Sequence, residues 1–178
     1  MNTPDSALLS CSTITIHTDG SCINNGCDFA FGGWSAILEY PYEQRRISGR
    51  AEPTTSSRME LTAIIEGIRA IHPDWSDSHV IIFTDSQYVA NGCSQWRHGW
   101  KKKGWRTAQG KPVANLDLWH ELDALLEAHC IDVRWVKGHN GEPMNELADR
   151  LALAAAHGKL VDRWSQQGDY RDLLESLE

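Results

Sequence analysis

The chain has 178 residues, 41% hydrophobic and 23% charged, a balance that suits one globular domain with a sizeable core and excludes a fibrous or disordered chain. No run approaches the ~20 apolar residues of a membrane span, and the opening "MNTPDSALLS" has neither the basic region nor the long apolar stretch of a secretory signal. The formal charge of −7 argues against nucleic acid as a partner until the charges are mapped.

Residues 1–12 read as a loose tail. "STITIHTD" alternates Ile14 and Ile16 with polar neighbours, which predicts a strand. "FGGWSAILEY" and "QRRISGRAE" predict two more, joined by a turn at Pro41 and Tyr42. In "SSRMELTAIIEGIRAI" the residues Met59, Ala63, Ile64, Ile68 and Ile71 fall near one helical face, and Pro73 follows at a helix stop. "HVIIFTD" is a short continuous apolar run, as expected of a strand buried on both faces. A short helix starts at Ser86, a basic Trp-rich segment follows, and "NLDLWHELDALLEAH" returns to helical period. "IDVRWVK" predicts a fifth strand, and "MNELADRLALAAAH" a helix with Leu147, Leu151 and Ala154 inward. Residues 158–178 form a polar appendix that reads as partly helical. The order β-β-β-α-β-α-α-β-α predicts an α/β fold of mixed α+β character. Its mixed sheet has helices on both sides.

The five cysteines (Cys11, Cys22, Cys27, Cys93 and Cys130) are odd in number and scattered, which speaks against a disulfide framework and for a reducing cytoplasm. No second pair at zinc-finger spacing answers Cys22 and Cys27.

The charge is concentrated. Between Ser86 and Leu116 there is no acidic residue, whereas Arg97, Lys101, Lys102, Lys103, Arg106 and Lys111 all lie there. Without those six bases the chain has 11 bases against 24 acids, or −13. The sequence therefore describes an acidic body with one basic protrusion. A charge run is ordinarily a solvated face. This one is interleaved with Trp96, Trp100 and Trp105, three of the eight tryptophans, and stacking surfaces among bases suit a sugar-phosphate backbone.

Two apolar runs end in Thr-Asp: "TDGSC" carries Asp19 and "TDSQY" carries Asp85. An Asp at a strand end is often a turn or capping residue, but in open α/β sheets active groups gather at the carboxyl ends of strands. Glu60 completes the pattern Ser57-Arg58-Met59-Glu60, which also fits a capping box. Asp149 has no base three or four positions away and lies beside small apolar residues, whereas Glu146 and Arg150 are spaced to pair. With the sheet order 3-2-1-4-5, Asp19 and Asp85 stand on adjacent central strands within reach of the helices bearing Glu60 and Asp149. Four carboxylates share one place only with counter-ions, and all-oxygen ligands call for a hard cation, Mg²⁺ or Mn²⁺.

These stretches, with "RMELTA", "TDSQYV", "WKKKGWRTA", "KPVANLDLW", "WVKGHNG" and "NELAD" in the same order, closely resemble bacterial type 1 ribonuclease H (ribonuclease HI) over about residues 13–157. The resemblance implies a ribonuclease H-like fold, with a five-stranded sheet flanked by helices. It also implies a metal-dependent endonuclease that cuts the RNA strand of RNA–DNA hybrids and leaves 5′-phosphate and 3′-hydroxyl ends. Its acidic quartet falls on Asp19, Glu60, Asp85 and Asp149, and its catalytic-loop histidine on His139, with a role in proton transfer or product departure. Two Mg²⁺ ions ~3.5–4 Å apart would clamp the attacking and leaving oxygens. Asp19 would bridge them, Glu60 and Asp85 would complete one site, and Asp149 the other. Cys22, Asn25 and Gln87 match contacts to RNA hydroxyls. Thr55 and Asn115 match positions that hold a DNA phosphate. "RHGWKKKGWR", with Trp96, Trp100, Lys101, Lys102, Lys103, Trp105 and Arg106, matches a handle that grips the DNA strand.

The family commonly has two asparagines where this chain has the shorter Ser56 and Ser57, and the loop after Asn25, "GCDFAFGGW", lacks a proline and is longer. A non-catalytic hybrid-binding module is an alternative, but it would be expected to lose a carboxylate, and none is missing. A related metal-dependent DNA nuclease of the same fold would lack the Trp-rich handle and the readers at Asn25 and Gln87. A cytoplasmic monomer with a catalytic domain at 13–157 is expected.

Overall fold

In a computed structural model, which describes residues 13–166, the chain opens with an antiparallel meander of β1 (Thr13–Ile23), β2 (Phe31–Glu39) and β3 (Glu43–Ala51). The expected tail at 1–12 and residues 167–178 of the appendix lie outside the described residues. β4 (His79–Thr84) pairs parallel with β1, and β5 (Ile131–Trp135) pairs parallel with β4. The helices are α1 (Ser56–Arg69), α2 (Gln87–Asn91), α3 (Arg97–Lys102), α4 (Leu116–Ala128) and α5 (Pro143–Ala156).

The sheet order is β5-β4-β1-β2-β3-β6, which is the expected arrangement of five strands with a sixth added. β6 (Asp162–Gln166) pairs antiparallel with β3, so this part of the appendix is strand and not helix. Its sequence "DRWSQ" is polar and largely exposed, and without apolar alternation it carries no strand signal.

Side-chain alternation divides the core between the two sheet faces. Ile14, Ile16, Ala36, Leu38 and Ile82 join Leu61, Ile64, Ile65 and Ile68 of α1 and Trp119 and Leu122 of α4. Ile37 packs with Met144, Leu147, Ala148 and Leu151 of α5 on the other face. α5 lies directly on the β2 backbone: Ser35 Oγ donates to the Ala148 carbonyl (2.7 Å), and a Cβ on Gly33 would meet Ala152 O at 2.1 Å. The inward stripe of α5 is accordingly small. Ala148, Ala152, Ala155 and Ala156 are buried with Leu147 and Leu151, while Ala154 is only partly so.

α1 is capped by Thr55, whose hydroxyl accepts the Arg58 amide (3.3 Å). Helix numbering thus starts two residues before a Ser57–Glu60 box would require, which leaves Glu60 without a capping duty. α2, a π-helical turn at Gly92–Trp96 and α3 run on without a break, a longer helical stretch than the single short helix expected from Ser86. Gly92 presses on the Trp119 ring, where a Cβ would lie 2.0 Å from Cη2.

Candidate active site

Asp19 lies inside β1, not at its end. β1 pairs with β4 only as far as Thr18↔Thr84 but continues beside β2 to Ile23. Asp19 is therefore the first residue past the parallel pairing, and Asp85 is the first past β4, so both carboxylates emerge where the two chains part. Glu60 comes from the second turn of α1. Gly20 permits that approach, since a Cβ there would lie 2.3 Å from the Glu60 amide nitrogen. One carboxylate oxygen from each of Asp19, Glu60 and Asp85 lies within 4.8 Å of the others.

Asp149, on α5, stands outside that triad but within electrostatic reach. Burial, then the charges of Asp85 and Asp149, push the Asp19 carboxyl up to about 8 against the backbone amide of Gly20. Burial, then Asp19, Asp85 and Asp149, hold Glu60 well above the usual carboxylate range. Glu60 Oε2 is sealed from solvent and has no hydrogen-bond partner. A carboxylate cluster with an orphaned buried oxygen fits a hard divalent cation, since a cation would hold the groups ionised, satisfy the oxygens and cancel the repulsion.

Three residues that the sequence did not single out hold Asp85. Asn145 Nδ2 donates to Asp85 Oδ2 (3.3 Å), and Trp135 Nε1 donates to the Asp85 carbonyl (3.0 Å). Gly138 passes so close that a Cβ would sit 2.5 Å from Asp85 Oδ2. "WVKGHNG" and "NELAD" contain all three, but only the fold reveals their target. His139 follows Gly138 in this loop, exposed and at φ +51°, a backbone region that non-glycine residues seldom occupy. Glu146 accepts the Gly141 amide (3.1 Å) instead of pairing with Arg150.

Several expected substrate contacts gather at the N-terminus of α1. Asn25 Oδ1 accepts the Ser56 amide (3.3 Å), Cys22 Sγ lies 3.8 Å from the Thr54 carbonyl, and Ser57 is half-buried beside them. Arg58 makes a two-pronged pair with Asp117 of α4 (3.0 and 2.6 Å), which ties the start of α4 to this end of α1. Asn115 is left-handed at φ +56° and donates to the Tyr88 hydroxyl (3.4 Å). Gln87 is exposed at the start of α2.

The protrusion is only partly the stacking surface that the sequence suggests. Trp96 is 40% exposed. Trp100 and Trp105 turn inward against the core, with ring centres 5.2 Å from Trp119 and 4.8 Å from His120, because α4 gives them an apolar surface to cover. Lys102 and Lys103 are exposed, Arg106 donates to the Gly110 carbonyl (2.7 Å), and Lys101 is tied to Asp123 (2.7 Å) and Glu127. No helix among the described residues is long and apolar enough to cross a membrane, and Cys22, Cys27, Cys93 and Cys130 are free thiols.

The RNase H family model matches residues 12–157. The chain is 50% identical over 151 residues to the ribonuclease H of Maricaulis maris, covering 83% of this chain and 98% of that protein. It is 47% identical over 144 residues to the ribonuclease HI of Neisseria meningitidis serogroup B, covering 81% and 95%. Among solved structures it resembles LC9-RNase H1, described as a type 1 RNase H with the type 2 active-site motif. The TM-score is 0.78 at 30% identity, over 93% of this chain and 84% of that one. The foamy viral protease-reverse transcriptase, solved with an RNA/DNA hybrid, shares the fold. Its TM-score is 0.68 at 20% identity, over 88% of this chain and 22% of that one.

Proposed function

The chain belongs to the RNase H family, and from that premise we propose that Asp19, Glu60, Asp85 and Asp149 hold two divalent ions, Mg²⁺ first and Mn²⁺ as a substitute. Its activity is endonucleolytic hydrolysis of the RNA strand of RNA–DNA hybrids, leaving 5′-phosphate and 3′-hydroxyl ends. The observation that carries the reading is the convergence of one oxygen from each of three carboxylates within 4.8 Å, together with the unpartnered, buried Glu60 Oε2. Once bound, divalent ions supply Lewis-acid activation of water and charge neutralisation at the phosphate.

The protein's own groups do the rest. The Gly20 backbone lies against both Asp19 and Glu60 and offsets part of the rise in their pKa values. Asn145 and Trp135 fix the side chain and the backbone of Asp85. His139, on its exposed loop, takes or delivers a proton as product leaves. Cys22, Asn25 and Gln87 face the RNA hydroxyls. Thr55 and Asn115 hold a DNA phosphate, Ser56 and Ser57 contact the substrate with their shorter hydroxyls, and the protrusion around Trp96, Lys102 and Lys103 grips the DNA strand. Residues 13–157 form the catalytic domain.

A gel assay with matched RNA–DNA, RNA–RNA and DNA–DNA duplexes tests this. Cleavage of the RNA strand of the hybrid alone, abolished by EDTA and restored by Mg²⁺, is the expected result. Equal cleavage of the DNA–DNA duplex would overturn it.

A further inference from the structure

The six bases of the protrusion are not equivalent. Arg97 and Lys101 are four residues apart on α3 and share one helix face, and that face meets Asp123 of α4. Arg97 Nη1 donates to Asp123 Oδ1 (2.6 Å) and Lys101 Nζ to Asp123 Oδ2 (2.7 Å), so each carboxylate oxygen has its own base. Arg97 Nε also donates to the Cys93 carbonyl (3.0 Å), within the π-helical turn that joins α2 to α3. The Asp123 side chain is 8% exposed and that of Arg97 is 15% exposed. Lys102 and Lys103 are the next two residues, turned by about 100° and 200° from Lys101. Both are exposed, and neither forms an ion pair among the described residues.

We propose that Asp123 divides the basic protrusion in two: it withdraws Arg97 and Lys101 from nucleic-acid contact and uses them to fix α3 on α4, leaving Lys102 and Lys103 to grip phosphate. This rests on the reading that the protrusion binds the hybrid. The division follows from desolvation. Moving Lys101 to a solvated phosphate would strip a nearly buried carboxylate of one of its two partners, and an exposed ion pair does not return that cost. Asp123 is thus a positioning residue, and its two bases add to the local charge without acting as contacts.

The test is hybrid affinity across a salt series in Ca²⁺ buffer, comparing wild type with Lys101→Met, Lys102→Met, Lys103→Met and Asp123→Asn. Counter-ion release separates contact from positioning, because each lost phosphate contact lowers the magnitude of the slope of log K against log salt by roughly 0.7–0.9. Lys102→Met and Lys103→Met should each tilt the line by about that amount. Lys101→Met should leave the slope unchanged. Asp123→Asn should weaken binding at every salt concentration although it removes a negative charge, an effect opposite to that of charge alone. A Lys101→Met slope change as large as that of Lys102→Met would overturn the division, as would tighter binding by Asp123→Asn. Unchanged slopes in all three lysine variants would instead overturn hybrid binding by the protrusion, and the division with it. Lys101 is the exposed arm of the cluster, so its variant remains informative if Asp123→Asn does not fold.

Discussion

Asn145 Nδ2 lies 3.3 Å from Asp85 Oδ2, a bond that ties the first turn of α5 to the carboxylate that follows β4. Asn145 is 3% exposed, so water cannot readily replace it as the donor. Asn145→Ala should leave Asp85 free to rotate and raise the Mg²⁺ concentration for half-maximal cleavage by about 10–100-fold. A metal titration of cleavage rate checks this, with circular dichroism to establish that the fold persists. An unchanged midpoint would mean that Asp85 is oriented by the chain alone.

Asp19 makes the metal-free protein sensitive to pH. Its carboxyl is raised from an ordinary 3.8 to about 8, so the folded state holds this proton more tightly than the unfolded state does. The stabilisation is fully present below the ordinary value and is lost as pH rises through the folded one. In EDTA, Tm should therefore fall between pH 4 and pH 8. Asp19→Asn should flatten that fall and abolish Mg²⁺-dependent cleavage. Excess Mg²⁺ should raise the wild-type Tm most at the alkaline end, where the carboxylates are ionised. A wild-type Tm in EDTA that rises over this range would contradict the assignment.

The order of the first five strands and their helices was legible, because each element depends on local pattern. Ile14 and Ile16 mark one strand, and the two Thr-Asp pairs mark carboxylates on neighbouring strands, although Asp19 proves to lie inside β1. The sixth strand was not legible, since Asp162, Arg163 and Ser165 offer no alternation and are held by pairing with β3. Nor was the tie between Asp123 and Arg97, whose partners lie 26 positions apart and meet only when α3 folds onto α4. Capping by Thr55 was not legible either, because Ser57 and Glu60 fit a capping box equally well as strings of residues. Lys101 reads in the sequence like its neighbours, and only the carboxylates beyond the helix set it apart.

Gly138→Ala tests how closely the histidine loop must approach Asp85. The new methyl group would sit 2.5 Å from Asp85 Oδ2, so either the carboxylate or the loop has to shift. Turnover should fall by roughly 10²-fold, the scale of a ~1 Å displacement of a reacting group. Stability should change little, since the loop is largely exposed. A turnover within twofold of wild type would show that the loop yields without moving Asp85.

Gly33→Ala acts on α5 as a body. The added Cβ would meet Ala152 O at 2.1 Å and Ala156 N at 2.3 Å, both backbone atoms that cannot rotate away. The overpacking should cost about 1–3 kcal/mol of stability. Because α5 also carries Asn145 and Asp149, activity should fall at temperatures where the variant is still folded. Denaturant titration alongside cleavage assays separates the two effects. Full specific activity in a destabilised variant would mean that the helix tilts without moving its active-site end.

β6 has a consequence for self-association. Without it, β3 would present a nine-residue edge of unpaired amides and carbonyls to any other chain. With it, Glu43–Ile47 of β3 are paired, and the outer strand, five residues long among the described residues, begins with Asp162 and Arg163 and is stapled across the pair by Arg45, whose guanidinium holds both Asp162 oxygens at 3.0 Å. A short, charged border is a poor template for intermolecular strand addition. A segment that carries none of the four carboxylates thus shortens the edge that β3 offers to another chain.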